Sequence, residues 1–62
     1  MNRYIVYYAE ASKYFIEKDA PVKSIPVEAL SKYHAVVKFE EEFKGMYPIL
    51  VELDRFLGGI DG

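Results

Sequence analysis

The chain of 62 residues contains no cysteine, and this absence limits the folds that it can adopt. A domain of this size buries only about 60% of the surface that its unfolded chain exposes, so its stability margin is thin. Small domains often compensate with disulfides or with a metal held by cysteines, and both are excluded here. Self-association is the remaining common remedy. We therefore expect one small domain that forms a homodimer or a higher oligomer.

The composition favours a folded protein with surplus apolar surface. Hydrophobic residues make up 52% of the chain and aromatic residues 16%, which excludes disorder. The net charge of −2 gives no general attraction to nucleic acid or to anionic membranes. No apolar run approaches the roughly 20 residues of a membrane span. We expect a cytoplasmic protein with no membrane segment.

Prolines and glycines divide the chain into three segments. Pro21 and Pro26 bracket a linker over residues 20–25, because a residue that precedes proline favours extended backbone. Pro26 also suits the first turn of a helix, whereas Gly45 and the pair Gly58-Gly59 suit helix ends. This punctuation predicts helices over about 2–18, 26–44 and 47–57, followed by a frayed tail over 58–62.

The first segment is ambiguous between a helix and a strand. On propensity alone, residues 4–8 read as a strand. On a helical wheel, however, Arg3, Glu10, Lys13 and Glu17 fall within an arc of about 80°, and no comparable alternation of period two exists. We favour the helix and keep a strand over residues 3–8 as the alternative. The apolar side of that helix would span about 220°, which predicts contact with a second chain.

The second and third segments also separate apolar from polar side chains at helical spacing. The second is the longest and would form the spine, with the first and third helices packed on its apolar side. The resulting prediction is an all-α, three-helix domain, with an α+β fold as the alternative if residues 3–8 form a strand.

The inventory of reactive side chains disfavours catalysis. The chain has no cysteine and no threonine, and its single histidine, His34, has no acidic residue three or four positions away. Glu40, Glu41 and Glu42 are consecutive, so on a helix they point about 100° apart and cannot converge on one metal. We expect no enzymatic activity, no cofactor and no metal site.

Six tyrosines are the most distinctive feature of the composition. Tyrosine has a large apolar body and a polar tip, and it is enriched at protein interfaces. Tyr7 and Tyr14 lie one heptad apart on the edge of the predicted first helix, so we expect both to contact another chain.

A second candidate surface lies near the end of the predicted second helix. Glu40 falls on the apolar side of that helix, with Tyr33 beside it and Lys44 one turn further on. Either Glu40 is solvated and paired with Lys44, or these three side chains form a polar notch at an interface or ligand site. Glu40, Glu41 and Glu42 would form an acidic edge suited to a basic partner. The predicted binding residues are Tyr7, Tyr14, Tyr33, Glu40, Glu41 and Lys44.

These features predict a non-enzymatic protein-protein interaction module, such as a small inhibitor or adaptor. Compact, cysteine-free, mildly acidic chains of this length are typical of the inhibitors and adaptors that bacteriophages encode. One alternative is a small-molecule-binding or sequestering oligomer that encloses a ligand between tyrosines. A DNA-binding regulator is disfavoured, because the helix over 47–57 that would read DNA carries Glu52 and Asp54 against Arg55.

Overall fold

The fold is a three-stranded antiparallel sheet with one α-helix against one of its faces. A computed structural model describes residues 1–54 of the chain. Its elements are strand β1 (Asn2–Glu10), a π-helical turn (Lys13–Glu17), strand β2 (Lys23–Ala29), helix α1 (Lys32–Glu42) and strand β3 (Met46–Leu53). The strand order is β2-β1-β3, so β1 is central. The predicted all-α, three-helix domain is therefore wrong, and the fold is α+β.

The predicted helix over 2–18 is replaced by β1 and the π-helical turn. Side chains alternate along β1. Tyr4 and Val6 are buried and point toward α1, whereas Ile5 and Tyr7 are half-buried and point to the opposite face. Because Ile5 and Tyr7 are also apolar, the sequence lacks the polar-apolar alternation that marks a half-buried strand. Of the two assignments left open for residues 3–8, the structure has the strand.

Strand β2 occupies residues that were predicted to be a linker and the start of a helix. Its side chains do alternate: Ile25, Val27 and Ala29 are the more buried set, whereas Ser24 and Glu28 are exposed. Pro26 was interpreted as the first turn of a helix, and this interpretation is wrong because Pro26 lies within β2.

Pro26 is compatible with β2 because of where its backbone points. The Arg3 carbonyl accepts a hydrogen bond from the Asp54 N–H at 2.8 Å, so the backbone polar groups of Arg3 face β3. Glu28 of β2 pairs with Arg3, so the backbone N–H and carbonyl of Glu28 point away from β1. Pro26, two residues earlier on β2, has the same outward orientation. A residue without an N–H is tolerated at such an outward position of an edge strand.

Strand β3 replaces most of the predicted helix over 47–57. Tyr7 pairs with Leu50, and the next residue of β1, Tyr8, pairs with Pro48. Ile49 lies between Pro48 and Leu50 and therefore has no partner on β1. This β-bulge shifts the alternation by one residue, and the apolar positions then mimic helical spacing. The prediction for 47–57 is wrong over 47–53. Residues 55–57 and the predicted tail over 58–62 lie outside the described residues.

Helix α1 is shorter than the predicted helix over 26–44, because its cap lies at Ser31. The Ser31 Oγ accepts a hydrogen bond from the His34 N–H at 3.1 Å, and the His34 Nδ1 accepts one from the Leu30 N–H at 3.1 Å. This reciprocal pair resembles a capping box in which histidine takes the place of glutamate or glutamine. At the other end, the Phe43 N–H donates to the Phe39 carbonyl at 2.8 Å.

The core between α1 and the sheet is small. Within residues 1–54, Val6 and Phe39 are the largest side chains that are fully buried. Tyr8 packs on Phe39 and Phe43, with ring centroids 5.1 and 6.0 Å away. Ala29 and Ala35, both fully buried, sit with Tyr4 in a second cluster where small side chains let the helix approach the sheet.

Replacing Phe39 with alanine is expected to remove most of the stability of the domain. The transfer and cavity costs for a buried Phe→Ala change are about 3–5 kcal/mol, whereas a chain of this length has about 3–9 kcal/mol in total. The matched control is Tyr33→Ala, at a side chain that is 78% exposed on the same helix. Urea unfolding followed by circular dichroism measures both; comparable losses would contradict this core assignment.

Gly45 connects α1 to β3 with φ of +85°, and an added Cβ there would meet no atom within 4 Å. Gly45→Ala should therefore destabilise the domain through backbone conformation alone, by about 1–2 kcal/mol. Gly45→Asn should lose less, because asparagine tolerates this conformation better. Thermal unfolding of the two variants tests this order, and an unchanged melting temperature for Gly45→Ala would refute it.

Candidate functional site

The face of the sheet opposite α1 carries apolar side chains from all three strands. Ile5 and Tyr7 point to this face, Pro26 lies across from Ile5, and Leu50 lies across from Tyr7. Leu50 is 50% exposed. Since α1 packs on the other side, no helix within residues 1–54 covers these side chains. We call Ile5, Tyr7, Pro26 and Leu50 the open face.

Three aromatic rings stand at one end of the open face. Tyr47 lies 5.3 Å from Tyr14 and 4.7 Å from Phe15 between ring centroids. The π-helical turn positions Tyr14 and Phe15, and it closes where Lys18 adopts φ of 57°. Ala9, which pairs with Tyr47 and lies two residues beyond Tyr7, is only 2% exposed. We call Tyr14, Phe15 and Tyr47 the aromatic wall.

Polar side chains border the open face and carry both signs of charge. Glu52 lies across from Ile5 and Ser24 across from Tyr7, so these polar residues share rows with the apolar side chains. Arg3 pairs in register with Glu28, and its Nε lies 3.9 Å from Asp54 Oδ2. The Tyr7 hydroxyl donates to Glu52 Oε1 at 3.5 Å. The Asp54 side chain is only 14% exposed, whereas the Tyr7–Glu52 contact is exposed and long and contributes little to stability. These charged groups border an apolar centre, which is the usual anatomy of a protein interface.

The edge of β2 is a poor template for an additional strand. Pro26 offers no outward N–H, and the Lys38 ammonium donates to the Glu28 carbonyl at 2.6 Å. The Glu28 carbonyl, which points outward from the edge of β2, is therefore already engaged by a charged side chain. Prolines and lysines are common means of protecting exposed edges.

The other edge, β3, is interrupted in a similar way. Pro48 has no N–H, and the bulge at Ile49 breaks the regular spacing of backbone groups. Both edges are obstructed, so within residues 1–54 the open face is the extended surface that the sheet offers for contact.

Two of the predicted binding residues lie at this surface, although not for the predicted reason. Tyr7 and Tyr14 were expected on one edge of a helix. Instead Tyr7 lies in the middle of β1, and Tyr14 belongs to the aromatic wall. The structure brings both to the same side of the sheet.

The other predicted binding residues lie on or just after α1. Tyr33, Glu40 and Glu41 are exposed on the helix. Lys44 follows the end of the helix at Glu42, so it is not one helical turn beyond Glu40. Among residues 1–54, no hydrogen bond or ion pair joins Tyr33, Glu40 and Lys44. The structure therefore does not assemble the predicted notch, and it leaves an exposed acidic surface on α1.

The arrangement of reactive groups agrees with a structural role for His34. Its Nδ1 accepts the Leu30 N–H, so this nitrogen is already engaged at the helix N-terminus. The Ser31 hydroxyl is likewise occupied as the helix cap. Within residues 1–54, no three histidine or acidic side chains are grouped in a way that could hold a metal ion. In the same part of the chain, no helix is long and apolar enough to cross a membrane.

Comparisons with models of known protein families, with curated proteins and with solved structures find no match for this chain.

Sequence reasoning missed Ile5, Pro26, Leu50, Phe15 and Tyr47. The alternation in residues 23–29 was the signal that could have found β2, and with it the sheet. Once β2 is paired with β1, the side chains that share a face with Tyr7 follow from the register.

Removing the Lys38 ammonium tests how much its hydrogen bond to the Glu28 carbonyl stabilises the domain. Lys38→Met keeps most of the side-chain length but leaves the Glu28 carbonyl without this donor, so we expect a loss of about 0.5–1.5 kcal/mol. Lys32→Met is the matched control, because Lys32 is an exposed lysine on the same helix. Equal unfolding free energies for the two variants, measured in urea, would show that the Lys38 contact contributes nothing.

Proposed function

We propose that this chain is a non-enzymatic protein-protein interaction module that associates with a second copy of itself through the open face. The observation that carries this proposal is a sheet face with apolar side chains on all three strands and no covering helix within residues 1–54. Such a face loses apolar surface from water only when another layer packs on it.

A second copy suits this face for two physical reasons. The core on the helix side is thin and the chain has no disulfide, so stacking two sheets would add the second core that the single domain lacks. The rim of the face carries Arg3 as well as Glu28 and Glu52. When two copies of such a face pack together, the positive groups of one copy can lie opposite the negative groups of the other.

The geometry of the edges favours face-to-face packing over strand addition. Pro26 and the Lys38 contact obstruct β2, whereas Pro48 and the bulge obstruct β3. Stacked sheets pack about 10 Å apart, and this arrangement needs no free backbone groups. The aromatic wall would limit the position of the second sheet at one end.

The size of the face sets the expected affinity. Three strands of about eight residues cover roughly 26 by 14 Å, from a rise of about 3.3 Å per residue and a spacing of about 4.8 Å between strands. Two such faces cover about 730 Å² together, which is below the roughly 1,000 Å² of a stable specific interface and belongs with weak, transient contacts. We therefore expect a weak dimer, with a dissociation constant on the order of 10 µM.

A dimer of this kind leaves the outer surface of α1 accessible. Tyr33, Glu40 and Glu41 are exposed there, on the side of the sheet away from the open face. An acidic surface with an exposed tyrosine suits a basic partner protein. This second surface supports the role of a small adaptor or inhibitor. The chain would bind its own copy through the open face and another protein through the outer surface of α1.

Leu50→Glu is expected to abolish self-association, because it places a carboxylate in the centre of the apolar contact. The matched control is Leu30→Glu, the same change at a leucine that is 69% exposed and precedes α1, away from the open face. Sedimentation equilibrium compares wild type with both variants at protein concentrations from about 5 to 500 µM, a range that includes the expected dissociation constant. We expect a dimer for wild type and Leu30→Glu, and a monomer for Leu50→Glu.

Circular dichroism of Leu50→Glu provides the control for folding. A folded wild-type monomer at every concentration would refute the proposal. So would a dimer that Leu50→Glu and Leu30→Glu weaken equally.

A further inference from the structure

A recess lies on the helix side of the sheet, at the end where β1 leads into the π-helical turn. Its volume is about 300 Å³, and its lining includes Tyr8, Lys13, Pro21, Lys23, Phe43 and Met46. Pockets that hold small molecules begin at about this volume. The recess is separate from the open face, because Tyr8 points toward α1 whereas Tyr7 points away from it.

The floor of the recess is apolar and held in place by the core. Tyr8 contacts Phe43 with ring centroids 6.0 Å apart and an interplanar angle of 24°. Phe43 in turn stacks on the fully buried Phe39 at 4.9 Å. Met46, the first residue of β3, adds a flexible side chain that adapts to irregular shapes. Such a floor is suited to an aromatic ring or a short alkyl chain.

The rim of the recess is cationic. Lys23 pairs in register with Tyr8, so both side chains lie on the same face of the sheet. Among residues 1–54, Lys23 has no ion-pair partner, and the Tyr8 hydroxyl makes no hydrogen bond. Lys13 also lines the recess, with its Nζ 3.9 Å from Glu10 Oε1. With Glu10 included, the rim carries two positive charges and one negative charge.

We propose that this recess binds a small amphiphilic carboxylate, an aromatic or alkyl acid of roughly ten non-hydrogen atoms. The size follows from the volume, since a water molecule occupies about 30 Å³ in the liquid. A monoanion fits the rim because Glu10 leaves only one positive charge in excess. Lys23 and the Tyr8 hydroxyl would bind the carboxylate, while Phe43 and Met46 contact the apolar part.

The binding test uses 3-phenylpropionate as the probe and 3-phenylpropan-1-ol as its neutral counterpart. Amide chemical shifts of the ¹⁵N-labelled full chain report the position and strength of binding. A ligand of this size reaches dissociation constants from about 0.1 to 10 mM. We expect saturable shifts at Tyr8, Phe43 and Met46, with the acid bound more tightly than the alcohol.

Two substitutions with opposite expected effects make the test specific for charge. Lys23→Gln should weaken binding of the acid about three- to fivefold, as expected for a partly exposed ion pair. Glu10→Gln should strengthen it by a similar factor, because it removes the carboxylate beside Lys13. Neither change should alter binding of the alcohol. Lys32→Gln is the matched control, since Lys32 is an exposed lysine outside the recess, and it should change nothing.

The absence of shifts at Tyr8, Phe43 and Met46 at 10 mM acid, where even the weakest affinity expected for such a ligand gives about half occupancy, would overturn the proposal. Equal affinity for acid and alcohol, or equal effects of Lys23→Gln and Lys32→Gln, would do the same. Leu50→Glu separates this site from the proposed dimer. The recess should bind the acid in that variant as well, so failure of one proposal leaves the other standing.

Discussion

Strand β1 pairs along both of its edges, and this double pairing positions the other elements of residues 1–54. Strand β1 is the only described strand with two neighbours, and it holds β2 in register from Asn2 to Tyr8 and β3 from Tyr4 to Glu10. Strands β2 and β3 are not in contact with each other in the sheet, so α1 connects two edges that β1 keeps apart. The helix then packs across all three strands and covers one face only.

This two-layer arrangement explains why residues 1–54 present apolar side chains on the sheet face away from α1. One helix of 11 residues can cover one face of a small sheet, and it does so with Ala35 and Phe39 as its buried residues. The face that it leaves is apolar at Ile5, Tyr7 and Leu50. A face of this kind is common where a second layer is supplied by another chain. The same limited core leaves a recess beyond Phe43, where the helix ends before the sheet does.

The two proposed sites use different physical principles on opposite sides of β1. The open face depends on the area of apolar surface removed from water, and its charges serve mainly to choose an orientation. The recess depends on a small number of polar groups around an apolar floor, so a single charge has a measurable effect there. Tyr7 and Tyr8 are neighbours in the chain but belong to these two separate sites, because a strand alternates the direction of its side chains.

Read without a structure, the sequence shows a short chain that is free of cysteine and threonine, has a single histidine, and is rich in apolar and aromatic residues. The sequence also indicated a helix within residues 26–44 and its end near Gly45. Strands β1 and β3 are evident only in the folded structure, whereas β2 alternates in the sequence. Both faces of β1 are apolar and a bulge at Ile49 interrupts the alternation of β3, so neither strand shows period two in the sequence. Hydrogen bonds between distant segments determined the register, and local propensity does not contain that information.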